Sequence, residues 1–304
     1  MKRLALVAGL SVALTACGWM TPSTQQAFGT PEDAARALIA AVKTGAQDKV
    51  IAFFGADGKE LVASSDPVAA KRRRDVFNAA AAERWRLVDE PNGTKILAIG
   101  NEDWPFPVPL VKGERGWHFD TAAGKEEILA RWIGHNELAA IAICRTYVAA
   151  QRIYAQKGHD GLAPGLFAKT FRSDPGKQNG LYWRAGRGEK RSPLGDLLAQ
   201  AAEERGRINP GDAAPSPLHG YFFKILTAQG PTAPGGAKDY VVNGQMSGGF
   251  SMVAWPAQYD VTGVMTFLVN HDGLVQEKDL GRDTAGTVRS MTLYNPDASW
   301  SAVQ

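Results

Sequence analysis

The sequence predicts an α+β protein of two domains behind an export signal. Three observations carry this. Helical patterns come first and strand patterns follow, twice along the 304 residues, without the one-for-one alternation of a parallel sheet. The longest helical pattern, Gly134–Tyr154, lies between a strand-rich N-terminal part and a strand-rich C-terminal part. The last third holds short apolar runs punctuated by Asn243-Gly244 and Asp272-Gly273, the dipeptides of tight antiparallel hairpins. The expected boundaries are a signal at 1–16, a tether at 17–27, an N-terminal domain at 28–133 and a C-terminal domain at 134–304.

The first residues read as targeting. Lys2 and Arg3 precede the apolar run Leu4 to Leu14, too short to cross a bilayer as a stable helix. It ends in Leu14-Thr15-Ala16-Cys17, a lipobox. Small residues suit a signal peptidase cleft, and the Cys17 thiol accepts diacylglycerol before cleavage frees its amine for a further chain. Each buried CH₂ of an acyl chain contributes about 0.8 kcal/mol, so two or three chains anchor firmly. Loss of Lys2 and Arg3 with residues 1–16 lowers the formal charge from +3 to +1, so the basicity is mostly signal and gives no argument for a nucleic-acid partner. Gly18, where an Asp would retain the chain at an inner membrane, favours the outer membrane facing the periplasm in a Gram-negative cell. The expected partners are membrane lipid through acylated Cys17 and an envelope protein or polymer. With Cys17 acylated, Cys144 has no intramolecular partner and reads as a small buried residue.

Each element has a local reason. Thr30-Pro31-Glu32-Asp33 places a cap, an N1 proline and two acids at a helix start, and Gly45 ends it. A short helix is expected over Gln47–Phe54 and a third over Lys71–Trp85. Strands follow at Lys95–Ile99, Val108–Val111 and Trp117–Asp120. Asp103-Trp-Pro-Phe-Pro-Val-Pro109 has proline at alternate positions, which confines it to a sheet edge, with Trp104 and Phe106 directed to the core. Asn136 is the expected cap of the long helix. Ala140, Ile141, Cys144, Tyr147, Val148 and Tyr154 form one apolar face; Leu138, Ala142, Ala149 and Ile153 form a second; Arg145 and Arg152 share one narrow line. A helix apolar on two sides is expected between layers. Leu166–Phe171 reads as a short helical segment, Ser192-Pro193 as the start of a helix to Arg205, and 206–218 as a long loop. Strands are then expected at Gly220–Ala228, Asp239–Val242, Gly249–Trp255, Gly263–Asn270 and Leu274–Asp279, with a short helix or irregular cover after Asp283.

Helices before antiparallel strands in the N-terminal part resemble the cone-shaped nuclear-transport-factor-like or cystatin-like folds. The whole mature chain carries a more specific likeness. Phe28-Gly-Thr-Pro-Glu-Asp-Ala-Ala-Arg-Ala-Leu, Gly100-Asn-Glu-Asp-Trp-Pro-Phe-Pro, Pro175-Gly-Lys-Gln-Asn-Gly-Leu-Tyr-Trp and Gly220-Tyr-Phe-Phe-Lys-Ile-Leu-Thr-Ala-Gln-Gly-Pro resemble domain-of-unknown-function family 2950, exported bacterial proteins. That resemblance implies no activity and assigns no catalytic residue. The helix segment Cys144–Gln151 and the hairpin Gly263–Gly273 are similar to pilin-like and pseudopilin head domains, which implies a long helix packed on an antiparallel β-meander. A pilin would precede that helix with a membrane-spanning half, and this chain does not.

No GxxxxGK[ST], HExxH or CxxC motif occurs, and no cofactor is expected. The five histidines have no metal-ligand spacing. His118 and Asp120 share a strand face, and Asp272 with Asp279 stand in the last hairpin, without a ligand signature. The polar residues singled out are His219, Asp239 and His271. Two readings stand: a non-enzymatic, membrane-anchored envelope lipoprotein that binds or scaffolds, and an envelope hydrolase or ligand carrier with a site in the interdomain cleft.

Overall fold

The computed structural model describes residues 25–62, 67–186, 191–195 and 217–303. The signal, Cys17, most of the tether, most of the expected helix after Ser192-Pro193 and nearly all of the 206–218 loop lie outside the described residues. The chain divides into two units, Met1–Glu127 and Ile128–Gln304.

The first unit sets helices on an antiparallel sheet. Helix α1 (Pro31–Thr44) starts as its residue types require: the Asp33 amide donates to Thr30 Oγ1 at 3.1 Å, and Gly45 closes it at φ +69°. Then come α2 (Gln47–Phe54), a 3₁₀ turn (Gly55–Asp57), α3 (Gly58–Val62) and α4 (Pro67–Glu83). The sheet runs β1 (Trp85–Asp89), β2 (Lys95–Ile99), β4 (Leu110–Gly113), β5 (Gly116–Phe119), with β3 (Trp104–Pro105) also paired to β2. Helix α4 stops short of Trp85, which opens β1 opposite Ile99; the strand-favouring run Trp-Arg-Leu-Val overrides the expected helix end. Phe53, Phe54 and Phe119 are buried, and Phe106 packs on Phe54, Phe77 and Phe119 with ring centroids 5.9–6.4 Å apart. Trp104, expected in the core, is 47% exposed, because β3 is only two residues long and turns outward. Beside it Asp103, at φ +53°, takes Arg86 through Nε (2.9 Å) and Nη2 (3.0 Å) and is also paired with Arg84.

Helix α5 (Thr121–Ala155) begins well before the expected cap: Asp120 Oδ1 accepts the Ala123 amide at 3.1 Å, and Asn136 lies inside the helix. Gly124 belongs there because a Cβ would stand 2.6 Å from a methyl of Val108. The partition between the two units falls inside this helix, after Glu127.

The second unit is built on a five-stranded antiparallel sheet, β15-β13-β12-β11-β6. Its strands are β6 (Tyr221–Leu226), β11 (Ser251–Pro256), β12 (Met265–Asn270), β13 (Val275–Asp279) and β15 (Ser301–Ala302). The last hairpins follow each other as a meander, as the Asp-Gly signal implies. The runs Met-Val-Ala-Trp and Thr-Phe-Leu-Val are apolar without alternation because both sheet faces are buried. Met252, Ala254, Phe267 and Val269 join Ala140, Cys144, Tyr147 and Val148 of α5 in one core. Val253 and Leu268 point the other way, into a smaller core with Val288 and Tyr294. That second core is roofed by α6 (Thr284–Ser290), where Lys224 Nζ donates to the carbonyls of Val288, Arg289 and, just past the helix, Met291.

Two expected elements are replaced. Asp239–Val242 is split between β8 (Lys238–Asp239), beside β7 (Ala228–Gln229), and β9 (Val241–Val242), beside β10 (Gln245–Met246); β14 (Leu293–Tyr294) completes the sheet around β7. The break falls at Tyr240, fully buried, whose carbonyl accepts the amides of Ser247 and Gly248. Leu166–Phe171 is not helical: the Phe167 amide donates to Met246 O at 2.8 Å, and Gln151 holds the next residue. Gln151, fully buried, takes the Ala168 amide on Oε1 (2.9 Å) and donates from Nε2 to Ala168 O (2.8 Å) and Tyr147 Oη (3.1 Å).

Two predictions follow from these contacts. Gln151→Ala leaves the Ala168 amide and carbonyl without their Gln151 partner in the core and takes one of two hydrogen bonds from the Tyr147 hydroxyl, and it should cost about 2–4 kcal/mol in urea denaturation; a loss below about 0.5 kcal/mol would show the contacts carry no net stability. The two arginines hold the Asp103 carboxyl down at about 2, through hydrogen bonds first. A depressed carboxylate contributes stability above its unfolded pKa and loses it as pH falls from about 4 to about 2. Thermal melts should therefore show a smaller loss over that interval in Asp103→Asn than in the parent; equal losses would refute the assignment.

Candidate functional site

Helix α5 places opposite chemistries on its two sides. One side is the core face, whose polar members are held by fixed partners, save the Asn136 side-chain oxygen, which is buried without one. Glu137 turns inward: its Oε1 accepts the amides of Val264 and Met265, both at 2.9 Å, just where β12 begins. Asn136, 1% exposed, donates from Nδ2 to Thr262 O at 3.0 Å. Burial, with the Glu137 carboxylate nearby, pushes the Tyr221 phenol upward, and its hydroxyl donates to Met265 O. Cys144 is fully buried and its thiol is pushed up to about 12 by burial, so it is a core residue with no thiolate at neutral pH.

The other side is the feature of interest. Leu138 is 70% exposed, Trp132 55% and Ile153 53%; Ile128 and Leu129 are exposed too, as are Ala142 and Ala149. The expectation of a helix covered on both sides is corrected: only one side is covered among the described residues. A helix gains most of its stability from one packed stripe, so the second apolar stripe is not required by the fold. From Ile128 to Ala155 the full charges are Arg131, Glu137, Arg145 and Arg152. Glu137 is occupied with the amides of Val264 and Met265, and Glu126 and Glu127 stand exposed in the turn before Ile128. Arg152 Nη2 donates to His271 O at 2.9 Å, so that guanidinium is held in place.

Two imidazoles border the N-terminal part of this side. The His135 ring stacks on Trp132 at 6.3 Å, and His219 meets His135 edge-on at 6.4 Å. His219 and Gly220 both have positive φ (+45° and +71°), and Leu218 and Tyr221 exchange backbone hydrogen bonds across them, as a type I′ turn requires. A side chain at Gly220 would collide with Asn136 and Thr262.

The residues singled out from sequence do not converge. His219 lies beside the Asn136 end of α5 and His271 beside the Arg152 end. The helix rises about 22 Å between Glu137 and Arg152. Asp239 sits exposed on β8, opposite Ala228. His271 packs against the rings of Tyr240 (5.8 Å) and Phe250 (6.2 Å), with Nε2 3.8 Å from Asp272 Oδ1 and a buried Nδ1 without a hydrogen-bond partner. Asp120 is spent as a helix cap, and Asp272 bonds within its own turn to Asn270 Nδ2 at 3.0 Å. Asp279 accepts the Gly281 amide and the Tyr259 hydroxyl. Among the described residues no group of three or more His, Cys, Asp or Glu side chains is placed to hold a metal ion. Trp132 and His135 were not singled out from sequence, whereas the line shared by Arg145 and Arg152 was. The signal available for them was the second apolar stripe of the helix.

No curated protein and no solved structure matches the chain, so the likenesses to pilin-type heads and to cone-shaped small folds rest on layout alone. The model of a family described as protein of unknown function matches residues 25–303. Those residues span both units and include every segment that carried the family likeness, and the chain therefore belongs to the DUF2950 family.

Proposed function

We propose that this protein is an exported, lipid-anchored component of the bacterial envelope that binds a partner and does not turn over a substrate. The lipobox ending at Cys17 supports anchoring, with the outer membrane facing the periplasm as its place. In this reading the second unit is a pilin-type head that does not polymerise, as its helix on an antiparallel sheet suggests, and the first is a cone-shaped helix-and-sheet module. The observation that carries the binding function is the outer side of α5, where Ile128, Leu129, Trp132, Leu138 and Ile153 stand exposed with Ala142 and Ala149 between them. Exposed apolar patches of this kind mark interaction sites. Among the described residues no helix is long and apolar enough to cross a membrane, so the stripe is not a span. Separation of His219 from His271, and a thiol held protonated, favour binding over nucleophilic chemistry.

The anchor and the surface are tested separately. Cys17→Ala should move the protein out of the membrane fraction of its own cells; unchanged partitioning would refute lipid anchoring. A photocrosslinking side chain at Leu138 of the full chain, activated in the intact envelope, should give discrete adducts. The same group at the exposed Lys238 should not, and indistinguishable patterns would sink the binding surface.

A further inference from the structure

The second turn of α4 carries charge that the fold does not use. Lys71, Arg72, Arg73 and Arg74 follow one another, and every residue from Lys71 to Val76 is exposed. Successive residues of a helix are about 100° apart, so the four cations circle most of a turn. Phe77, the next residue, is partly buried, with its ring 5.9 Å from that of Phe106, and Ala81 is 7% exposed. Lys71 Nζ pairs with Asp75 at 2.7 Å, both side chains being open to water. Among the described residues Arg72, Arg73 and Arg74 have no carboxylate partner. Lys71 and Arg74 stand three apart with like charge, an arrangement that disfavours a helix. The three guanidiniums therefore hold nothing together in this unit, and their use lies outside it.

We infer that this turn of α4 docks on the anionic phospholipid headgroups of the membrane that holds the acyl chains, an inference that rests on the lipid-anchored reading. The length of the tether brings that surface within reach. From Cys17 to Gln25 the chain spans at most about 29 Å, so an acylated Cys17 keeps the first unit beside the bilayer. Gln25 is held at the end of α2, where its Nε2 donates to Phe53 O at 3.0 Å. Helix α3 follows α2 after one 3₁₀ turn, and at most about 18 Å of chain joins Val62 to Pro67, where α4 begins. Charge complementarity then selects the occupant. Phosphate oxygens suit guanidinium groups, whereas a second copy of this turn would set cation against cation. Because the tether makes the encounter intramolecular, a weak site is sufficient. The acyl chains supply the anchoring, and the arginines decide which face of the first unit is turned toward the bilayer.

The test uses the lipidated protein carrying Val76→Cys, labelled there with bimane. Val76 is 63% exposed and stands four residues on from Arg72, while Cys144 is fully buried, so the label has one site. The protein is reconstituted into vesicles of phosphatidylcholine, alone or with about one third phosphatidylglycerol, each doped with a lipid that bears a nitroxide on its headgroup. A cation beside an anionic surface is worth about fivefold, so three arginines should shift the ratio of docked to undocked protein on the order of a hundredfold between the two compositions. Bimane quenching should therefore be strong with phosphatidylglycerol and weak without it. Arg72→Glu, Arg73→Glu and Arg74→Glu together should remove the difference while the melting temperature is unchanged. Arg72→Lys, Arg73→Lys and Arg74→Lys together should keep it. Equal quenching in the two compositions overturns the inference, and so does a difference that survives the three glutamate substitutions. Flotation with the vesicles reads the anchor separately. Protein that floats with phosphatidylcholine but is quenched equally in both keeps the anchor and rejects the docking. Flotation confined to phosphatidylglycerol vesicles keeps the docking and rejects the anchor, and flotation with neither rejects both.

Discussion

Everything in the second unit depends on α5 lying along β12, and two side chains pin it there. Glu137 grips the amides of Val264 and Met265 where the strand starts, and Arg152 holds the His271 carbonyl where it ends. The geometry is commensurate: the helix rises about 22 Å between those two residues, and the strand covers about 23 Å from Val264 to His271. Charge-assisted bonds are stronger than neutral ones, and the two from Glu137 are also partly shielded from water. Between the pins, Cys144, Tyr147 and Val148 meet Met252, Phe267 and Val269, so the polar ends set the register in which the apolar middle interlocks.

A second polar contact extends the same logic outward. The Gln151 amide treats Ala168 as a neighbouring strand would, giving and taking one hydrogen bond with its backbone. That ties down an irregular segment that no ladder reaches, and its other bond passes to Tyr147, whose hydroxyl donates to Ser251 O. One chain of polar groups thus joins the loop, the helix and the sheet beneath a fully buried surface, where an unpaired group is most costly.

How much of this was legible in the sequence differs by the range of the cause. Helix α1 was readable because its cap, its proline and its closing glycine act within a few residues. The hairpin at Asp272-Gly273 and the late meander were readable for the same reason. The start of α5 was not, since Gly124 looks like a break until Val108, from another element, shows why no larger residue fits. The split at Tyr240 was hidden because an alternating pattern reads as one strand until the ring's burial is known. The candidate surface was half legible. Two apolar stripes on α5 were evident, but whether the second is covered depends on the number of layers, which periodicity does not report. The polar trio His219, Asp239 and His271 failed as a site because residues far apart in sequence were grouped by type, and the fold sends them to separate places.

The bond from Glu137 to the start of β12 also has a kinetic meaning. Its partners are 127 and 128 residues apart in the chain. A chain that emerges from its N-terminus therefore carries α5, apolar on both sides, for most of its appearance before the strand that covers one of them exists. Non-local closure of this kind is slow, and the intermediate that precedes it is adhesive.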